Sequence, residues 1–297
     1  MLLFPALPFT REIDPDYADE RDAARELGLK SALLDDEALR NGDVNAALRG
    51  LPTGNQNRLL YRGWMLGEHD YSALTAGVMD RGYLPITSPD AYAACHFLSH
   101  TLDVLEDWTP ETLFVPLLDG AVDWAGVEAA LESLGPRPLI VKDDVKSRKH
   151  EWLEACFIPD AGDTAQALRV IETFAGRQGD ALTGGIALRV FESFRAIGTH
   201  PRSGMPLTEE YRLFFVNGQP ALVTDYWDIA APDTEPLPLD ELTRLAVGIA
   251  SPFFTMDVAR LEDGGWRVVE LGDAQMAGRP GQVSAEALMR AIFPLLS

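Results

Sequence analysis

The sequence predicts an α/β unit followed by an α+β unit, and three observations carry that prediction. Over the first 110 or so residues, short apolar runs alternate with amphipathic stretches, the rhythm of a partly parallel sheet with crossover helices. From about residue 138 onward strands come in adjacent pairs, two of them closed by strong hairpin turns. The change of rhythm sets a boundary between Asp107 and Asp119, so residues 1–110 are assigned to one domain and 111–297 to a second.

In the first unit, 1–5, 31–35, 58–63 and 83–87 read as strands, and 16–28, 70–81 and 88–106 as helices. Ser88-Pro89 puts a capping serine before a proline at the first helical position, and Asp70 precedes another apolar-periodic run. Met1 to Phe9 is apolar, yet it lacks a basic flank and a small-residue cleavage site and is too short to span a bilayer. It reads as a buried opening strand. In the second unit, 112–117, 138–143, 152–158, 186–192, 210–217, 219–226, 253–261 and 266–271 read as strands. Helices are expected at 123–134, 163–177, 237–249 and 284–296. The Gly- and Pro-bearing segments 196–209 and 228–238 read as loops, the first of them mobile.

Composition narrows the function. A formal charge of −21 repels phosphate backbones and argues against nucleic acid as a partner. No stretch approaches membrane length. Two cysteines, Cys95 and Cys156, are too few for a disulfide framework and fit a reducing, cytoplasmic setting. Nothing in the sequence fixes an oligomeric state. Only four lysines stand against 21 arginines, and Lys142, Lys146 and Lys149 fall within eight residues. An ammonium is a compact, mobile charge where a guanidinium is a planar fork, so such a cluster suits gripping a phosphate. Chance clustering on a solvated loop is the alternative.

Two hairpins place charges. In 253–271, Asp263-Gly264 is a strong turn, and a two-residue or four-residue loop both pair Leu261 with Trp266, Ala259 with Val268 and Asp257 with Glu270. Carboxylates directly opposed on neighbouring strands repel. A divalent cation is one reason for them to be there, since Mg²⁺ is held by one or two carboxylates plus substrate phosphates; a solvent-facing pair is the other. In 210–226, Asn217-Gly218 forms the turn and pairs Arg212 with Val223 and Glu210 with Asp225. Glu210, Arg212 and Asp225 then share a face that suits a ribose hydroxyl and a phosphate or carboxylate, or a structural ion pair. Pro220 assigns its strand to a sheet edge. His96 and His100 are four apart on an expected helix, but no third ligand accompanies them, so they read as partly buried helix residues.

Taken in order, these pieces resemble the ATP-grasp superfamily. PLIVKDDVKSRKHEW (138–152) resembles its phosphate-contacting lysine strand and loop, and LRVFESF (188–194) its interdomain hinge, with Phe191 and Glu192 at the adenine. EYRLFFVNG (210–218) is similar to its strand bearing an acidic residue and an Arg, and DVARLEDGGWRVVELGD (257–273) to its metal-binding hairpin. VK-S-K-W, E-gD-Q and YRGW (61–64) are similar to the clade named for an arginine-to-lysine replacement, found in bacteria and phages. The match covers about 138–275. Two departures stand out: Gly272 where the superfamily has Asn, and Thr255 where it commonly has Arg.

The resemblance implies an ATP-grasp fold with an N-terminal pre-grasp α/β domain and a nucleotide between the two α+β lobes of the second domain. It implies ATP and Mg²⁺ as cofactors and a ligase that joins a carboxylate to an amine through an acyl-phosphate, the carboxylate being a small molecule, peptide or protein terminus. On that reading Lys142 and Lys146 meet the phosphates, Glu210 holds ribose, Arg212 stabilises the transferred phosphate or substrate carboxylate, and Asp257, Glu270 and Asp273 bind the metal. Arg62 faces the acceptor substrate. Lys146, Lys149 or Arg212 supplies the charge missing at Thr255. The same site would serve an ATP-grasp kinase, or a catalytically silent nucleotide-binding or interaction module.

Overall fold

The opening apolar run becomes β1 (Leu2–Pro5), buried along its whole length and flanked on both sides by parallel neighbours, β2 (Ser31–Leu34) and β3 (Asn57–Tyr61). With β4 (Tyr83–Pro85) they make a parallel sheet in the order β2-β1-β3-β4. The structure is a computed structural model that describes residues 1–8, 10–201, 204–227 and 236–296. The crossovers are α1 (Ala18–Glu26), the short α2 (Asp36–Arg40) and α3 (Val44–Ala47), and α4 (Glu68–Asp80). The two short helices lie outside the expected elements. Their sequence signal is a capping aspartate each: Asp35 accepts from the N–H of Ala38 at 3.0 Å and Asp43 from that of Ala46 at 2.9 Å.

The expected helix 88–106 is two helices, α5 (Pro89–His96) and α6 (Leu98–Leu105). The break at Phe97 has a tertiary cause. Asp144, from a loop in the second unit, accepts from the Ser99 N–H and hydroxyl at 2.7 and 2.9 Å and caps the new helix. His96 and His100 therefore stand on different helices.

A second sheet is antiparallel, in the order β5-β8-β6-β7: β5 (Thr112–Pro116), β6 (Leu139–Lys142), β7 (Phe157–Ile158) and β8 (Gly185–Val190). With α7 (Trp124–Leu134) and α9 (Thr164–Gln178) it encloses its own core. The expected strand 152–158 is mostly the short helix α8 (Trp152–Ala155), because Leu, Glu and Ala favour helix once Trp152 is stacked on Phe157 at 5.1 Å. The segment 196–209, expected as a loop, holds a small antiparallel pair, β9 (Ala196–Thr199) and β10 (Pro206–Thr208); its residues 202–203 lie outside the described residues. Most of the loop expected at 228–238 does too.

The third sheet runs β12-β11-β13-β14: β11 (Glu210–Val216), β12 (Gln219–Asp225), β13 (Phe253–Arg260) and β14 (Trp266–Asp273). β13 is buried at every position. One face packs Leu213, Phe215, Phe254 and Met256 against Cys95, Leu105 and α10 (Leu239–Ala246). Near the turn of β11 and β12, Phe214, Val216 and Phe253 join Leu2, Phe4 and α11 (Ala285–Leu296) in another core. The first unit and the third sheet are thus welded through two shared cores, while the second sheet has a separate one. Among the described residues no helix is long and apolar enough to cross a membrane.

Candidate functional site

The candidate site lies where the second sheet faces the third. Alternation aims the groups. On β6, Leu139 and Val141 enter the core, which turns Ile140 and Lys142 outward. On β8, Ile186 and Leu188 enter it, which turns Arg189 outward onto the same wall. Segment 191–195 then leaves β8 and crosses to the third sheet: the Arg195 N–H donates to the Arg260 carbonyl at 2.8 Å and the Glu262 N–H to the Ser193 carbonyl at 3.1 Å. Between the walls is a cleft of about 300 Å³, with Ile140, Trp152 and Phe191 on one side and Glu210, Trp227 and Glu270 on the other. That is the size of a small-ligand site.

The opposite wall is a row of charges. Arg212, Asp257 and Glu270 are direct cross-strand neighbours on β11, β13 and β14. The loop between β13 and β14 has three residues, 262–264, and pairs Arg260 with Trp266 and Ala259 with Arg267, one residue off the expected register. Extended unchanged, that register would set Val269 opposite Asp257. An extra residue at Val269, beside the shift between Asp257 and Val258, brings in Glu270 instead. The opposed carboxylates are real, and a bulge produces them. On β11 and β12 the turn is as expected, with positive φ at Asn217 and Gly218 and Val216 opposite Gln219. A second bulge beside Pro220 then moves Arg212 opposite Thr224 and Asp225 opposite Tyr211, so Asp225 does not face Glu210. Pro220 does stand on an edge strand, where a missing N–H costs no ladder bond.

Each carboxylate has a cation. Arg212 donates from Nε and Nη2 to the two oxygens of Asp257 at 2.8 and 2.7 Å. Its guanidinium also lies 4.9 Å from the ring centre of Tyr226. Burial works against the Arg212 charge, but the Asp257 bonds outweigh it and raise its pKa above the usual value. Burial pushes Asp257 up against that pull. Lys142 Nζ reaches across the cleft to Glu270 Oε1 at 3.7 Å. Burial lowers the Lys142 pKa. For Glu270, burial is outweighed by Lys142, Lys149, Arg212 and Arg189, which hold the carboxyl below its ordinary range. Burial pushes Glu210 up to about 7 despite Lys149.

Of the residues singled out in the sequence, Lys142, Glu210, Arg212, Asp257 and Glu270 come together, and Phe191 and Glu192 line the cleft beside them. Lys146, Asp273, Arg62 and the Glu192 carboxylate have other surroundings. Lys146 is exposed on a tight turn whose Asp143 carboxylate accepts from the Val145 and Lys146 N–H groups; Lys149 points inward instead, 6.0 Å from the Tyr226 ring centre. Burial opposes the Lys149 charge, but Tyr226, Glu210 and Glu270 raise its pKa above the ordinary value. Asp273 lies on the other face of β14, because a strand alternates and Glu270 and Gly272 take the cleft face. There it accepts from the Gln275 N–H and Nε2 at 2.9 and 3.0 Å, near Cys95, and burial raises it to about 7. Arg62 is buried against Glu20 at 2.8 and 2.9 Å and donates to the Gln275 and Ala277 carbonyls. The Glu192 carboxylate is tied to Arg267 Nε at 3.0 Å.

Arg189 was not anticipated. It donates to the Val269 carbonyl at 2.6 Å, fastening the second sheet to the bulge. Burial lowers it to about 10. A charged residue alternating with core Leu188 was the available signal.

Among the described residues no three His, Cys, Asp or Glu groups are arranged to hold a metal ion. Asp257 and Glu270 are opposed oxygen donors in register and fit a hard cation that takes its remaining ligands from phosphate and water, in place of the Arg212 and Lys142 cations that neutralise them here.

Residues 133–292 match the model of an ATP-grasp domain family, the third family of the clade named for its arginine-to-lysine replacement. No curated protein matches the chain. Among solved structures it is similar to a RimK domain ATP-grasp protein from Sphaerobacter thermophilus DSM 20745, at 17% identity and TM-score 0.62 over 98% of each chain. It is similar to D-cycloserine synthetase DcsG at 15% identity and TM-score 0.60, covering 100% of this chain and 99% of that one. ATP-grasp ligase PsnB, complexed with a phosphomimetic variant of its minimal precursor, Mg and ADP, matches at 14% identity and TM-score 0.59, covering 100% and 97%. At such identities the likeness carries the fold.

Proposed function

Because this chain belongs to the ATP-grasp domains, in the third family of the arginine-to-lysine clade, we propose that it is an ATP- and Mg²⁺-dependent ligase joining a carboxylate to an amine through an acyl-phosphate. One observation carries the reading: Asp257 and Glu270 stand in register on one wall of a cleft, facing Lys142 from the other, with Arg212 and Lys149 beside them. Phosphoryl transfer asks a protein mainly for positioning and neutralisation of phosphate charge, and a buried cluster of three cations and two carboxylates supplies both.

The roles follow from position. Ile140, Trp152 and Phe191 flank the base, with backbone groups of 191–193 at its edge. Glu210 accepts from ribose. Lys142 and Lys149 take phosphate oxygens, and Mg²⁺ held by Asp257 and Glu270 would neutralise further phosphate charge. The substrate carboxylate oxygen attacks the γ-phosphorus, the bond to the β-phosphate oxygen breaks, and ADP leaves. The amine then attacks the acyl carbon, expelling phosphate and losing its proton. Arg212 stands where it can bind a transferring phosphoryl oxygen with one arm of its fork. PsnB binds a precursor peptide, which supports a peptide or protein-terminus carboxylate beside small molecules as the substrate class. Two free, buried cysteines fit a cytoplasmic enzyme.

ADP release with pooled carboxylates and amines tests the reading, using wild type, Lys142→Ala and Glu270→Ala. Full ATP turnover in both variants would refute it, and a phosphorylated product that persists with amine present would make the protein a kinase. Gly272 favours one further reading. It occupies the cleft face where the superfamily has Asn, so position 272 adds no side-chain ligand to Asp257 and Glu270. Tight ATP·Mg²⁺ binding in calorimetry without hydrolysis under any acceptor would make it a silent nucleotide-binding module.

A further inference from the structure

Trp227 follows β12 and closes the cleft on the Glu210 side. Its indole Nε1 is buried and has no hydrogen-bond partner among the described residues. Buried donors in folded proteins are nearly always paired, and an exception inside a cleft calls for a ligand atom. Neighbours hold the residue at the cleft. The Trp227 carbonyl accepts from Gln282 Nε2 at 3.1 Å, and the indole packs edge-on to Tyr226 at 4.9 Å. Tyr226 in turn donates its N–H to the Glu210 carbonyl at 2.8 Å and lies against Arg212. The indole is therefore tied, one residue removed, to the strand end that carries Glu210.

Resting on the nucleotide reading above, we propose that the Trp227 indole N–H is a ribose-binding donor acting beside Glu210. The chemistry of the two groups is complementary. An ionised Glu210 only accepts and an indole N–H only donates, whereas a sugar hydroxyl does both, so adjacent hydroxyls satisfy the pair. The other parts of a nucleotide are already matched. Phosphates have Lys142, Lys149 and Arg212, and the base has apolar walls and hinge backbone.

Calorimetry of Trp227→Phe, which keeps an aromatic ring at the position and removes the donor, tests this with ADP·Mg²⁺ and 2′,3′-dideoxy-ADP·Mg²⁺. The variant is expected to bind ADP about fivefold to tenfold more weakly, the effect of one net hydrogen bond, and to bind the dideoxy nucleotide as wild type does. Unchanged ADP affinity, or equal weakening of both nucleotides, overturns the assignment. Wild-type protein gives an independent readout through its six tryptophan indole N–H signals in nitrogen-15 NMR. One signal should move with ADP·Mg²⁺ and stay with the dideoxy form; if none does so, the proposal falls. Wild type that binds neither nucleotide would remove the nucleotide reading itself, a result distinct from loss of the Trp227 effect alone.

Discussion

Replacing Asp273 by Asn removes a titrating group from the buried side of β14 while keeping an oxygen that can accept both Gln275 bonds. The substitution separates a structural Asp273 from a metal-binding one. Burial raises the folded-state pKa from 3.8 to about 7. A carboxyl raised on folding binds its proton more tightly in the native state, so stability falls as pH climbs from about 4 to about 7 and stays reduced above that. At about 1.36 kcal/mol per tenfold change, the full effect is about 4 kcal/mol, an upper figure. Glu210, raised to about 7 from 4.5, adds a slope of the same sign. Urea unfolding at pH 5 and pH 8 should therefore show wild type losing stability with rising pH, and Asp273→Asn losing distinctly less. ADP·Mg²⁺ affinity should stay within threefold. An unaltered pH slope together with lost Mg²⁺-dependent nucleotide binding would refute the reasoning and return Asp273 to the metal.

Lys149→Ala should weaken ADP·Mg²⁺ binding about tenfold to a hundredfold, as expected for one charge-assisted bond, whereas Lys146→Ala, on the exposed turn, should change it less than threefold; equal effects would show that the lysines are misassigned. Arg62→Ala should cost about 3 kcal/mol in denaturant unfolding, because it removes both short bonds to the buried Glu20 and leaves it Arg279 at 3.5 Å, and the double change Arg62→Met with Glu20→Met should recover much of that. Gly272→Asn tests the missing ligand. The new Cβ would meet Thr255 Oγ1 at 3.1 Å, so a stability loss of about 1 kcal/mol is expected, with tighter Mg²⁺ binding in the presence of ADP if an oxygen at 272 completes the metal shell; metal titration by calorimetry reads this.

The site was partly legible because some of its signals are local. Asn217-Gly218 specifies its own turn, and a lysine cluster in an arginine-rich chain is visible without coordinates. The Asp257–Glu270 pairing, by contrast, was reached through a loop two or four residues long, whereas the structure uses three and compensates with the bulge at Val269. Bulges leave no clear sequence mark here. The same limit misplaced Asp225, where the extra residue sits beside Pro220.

Sequence alone determined most of the strands and the longer helices, the hairpin that carries the acidic pair and the strand that carries Lys142, since each depends on residues close together in the chain. Tertiary structure decided which lysine turns inward, which face of β14 each acid takes, that Arg62 is spent on Glu20, and that one long helix becomes two at Phe97. Those outcomes depend on what packs against a side chain from a distant segment, such as Asp144 on α6 or Tyr226 beside Lys149, and no local pattern records the partner.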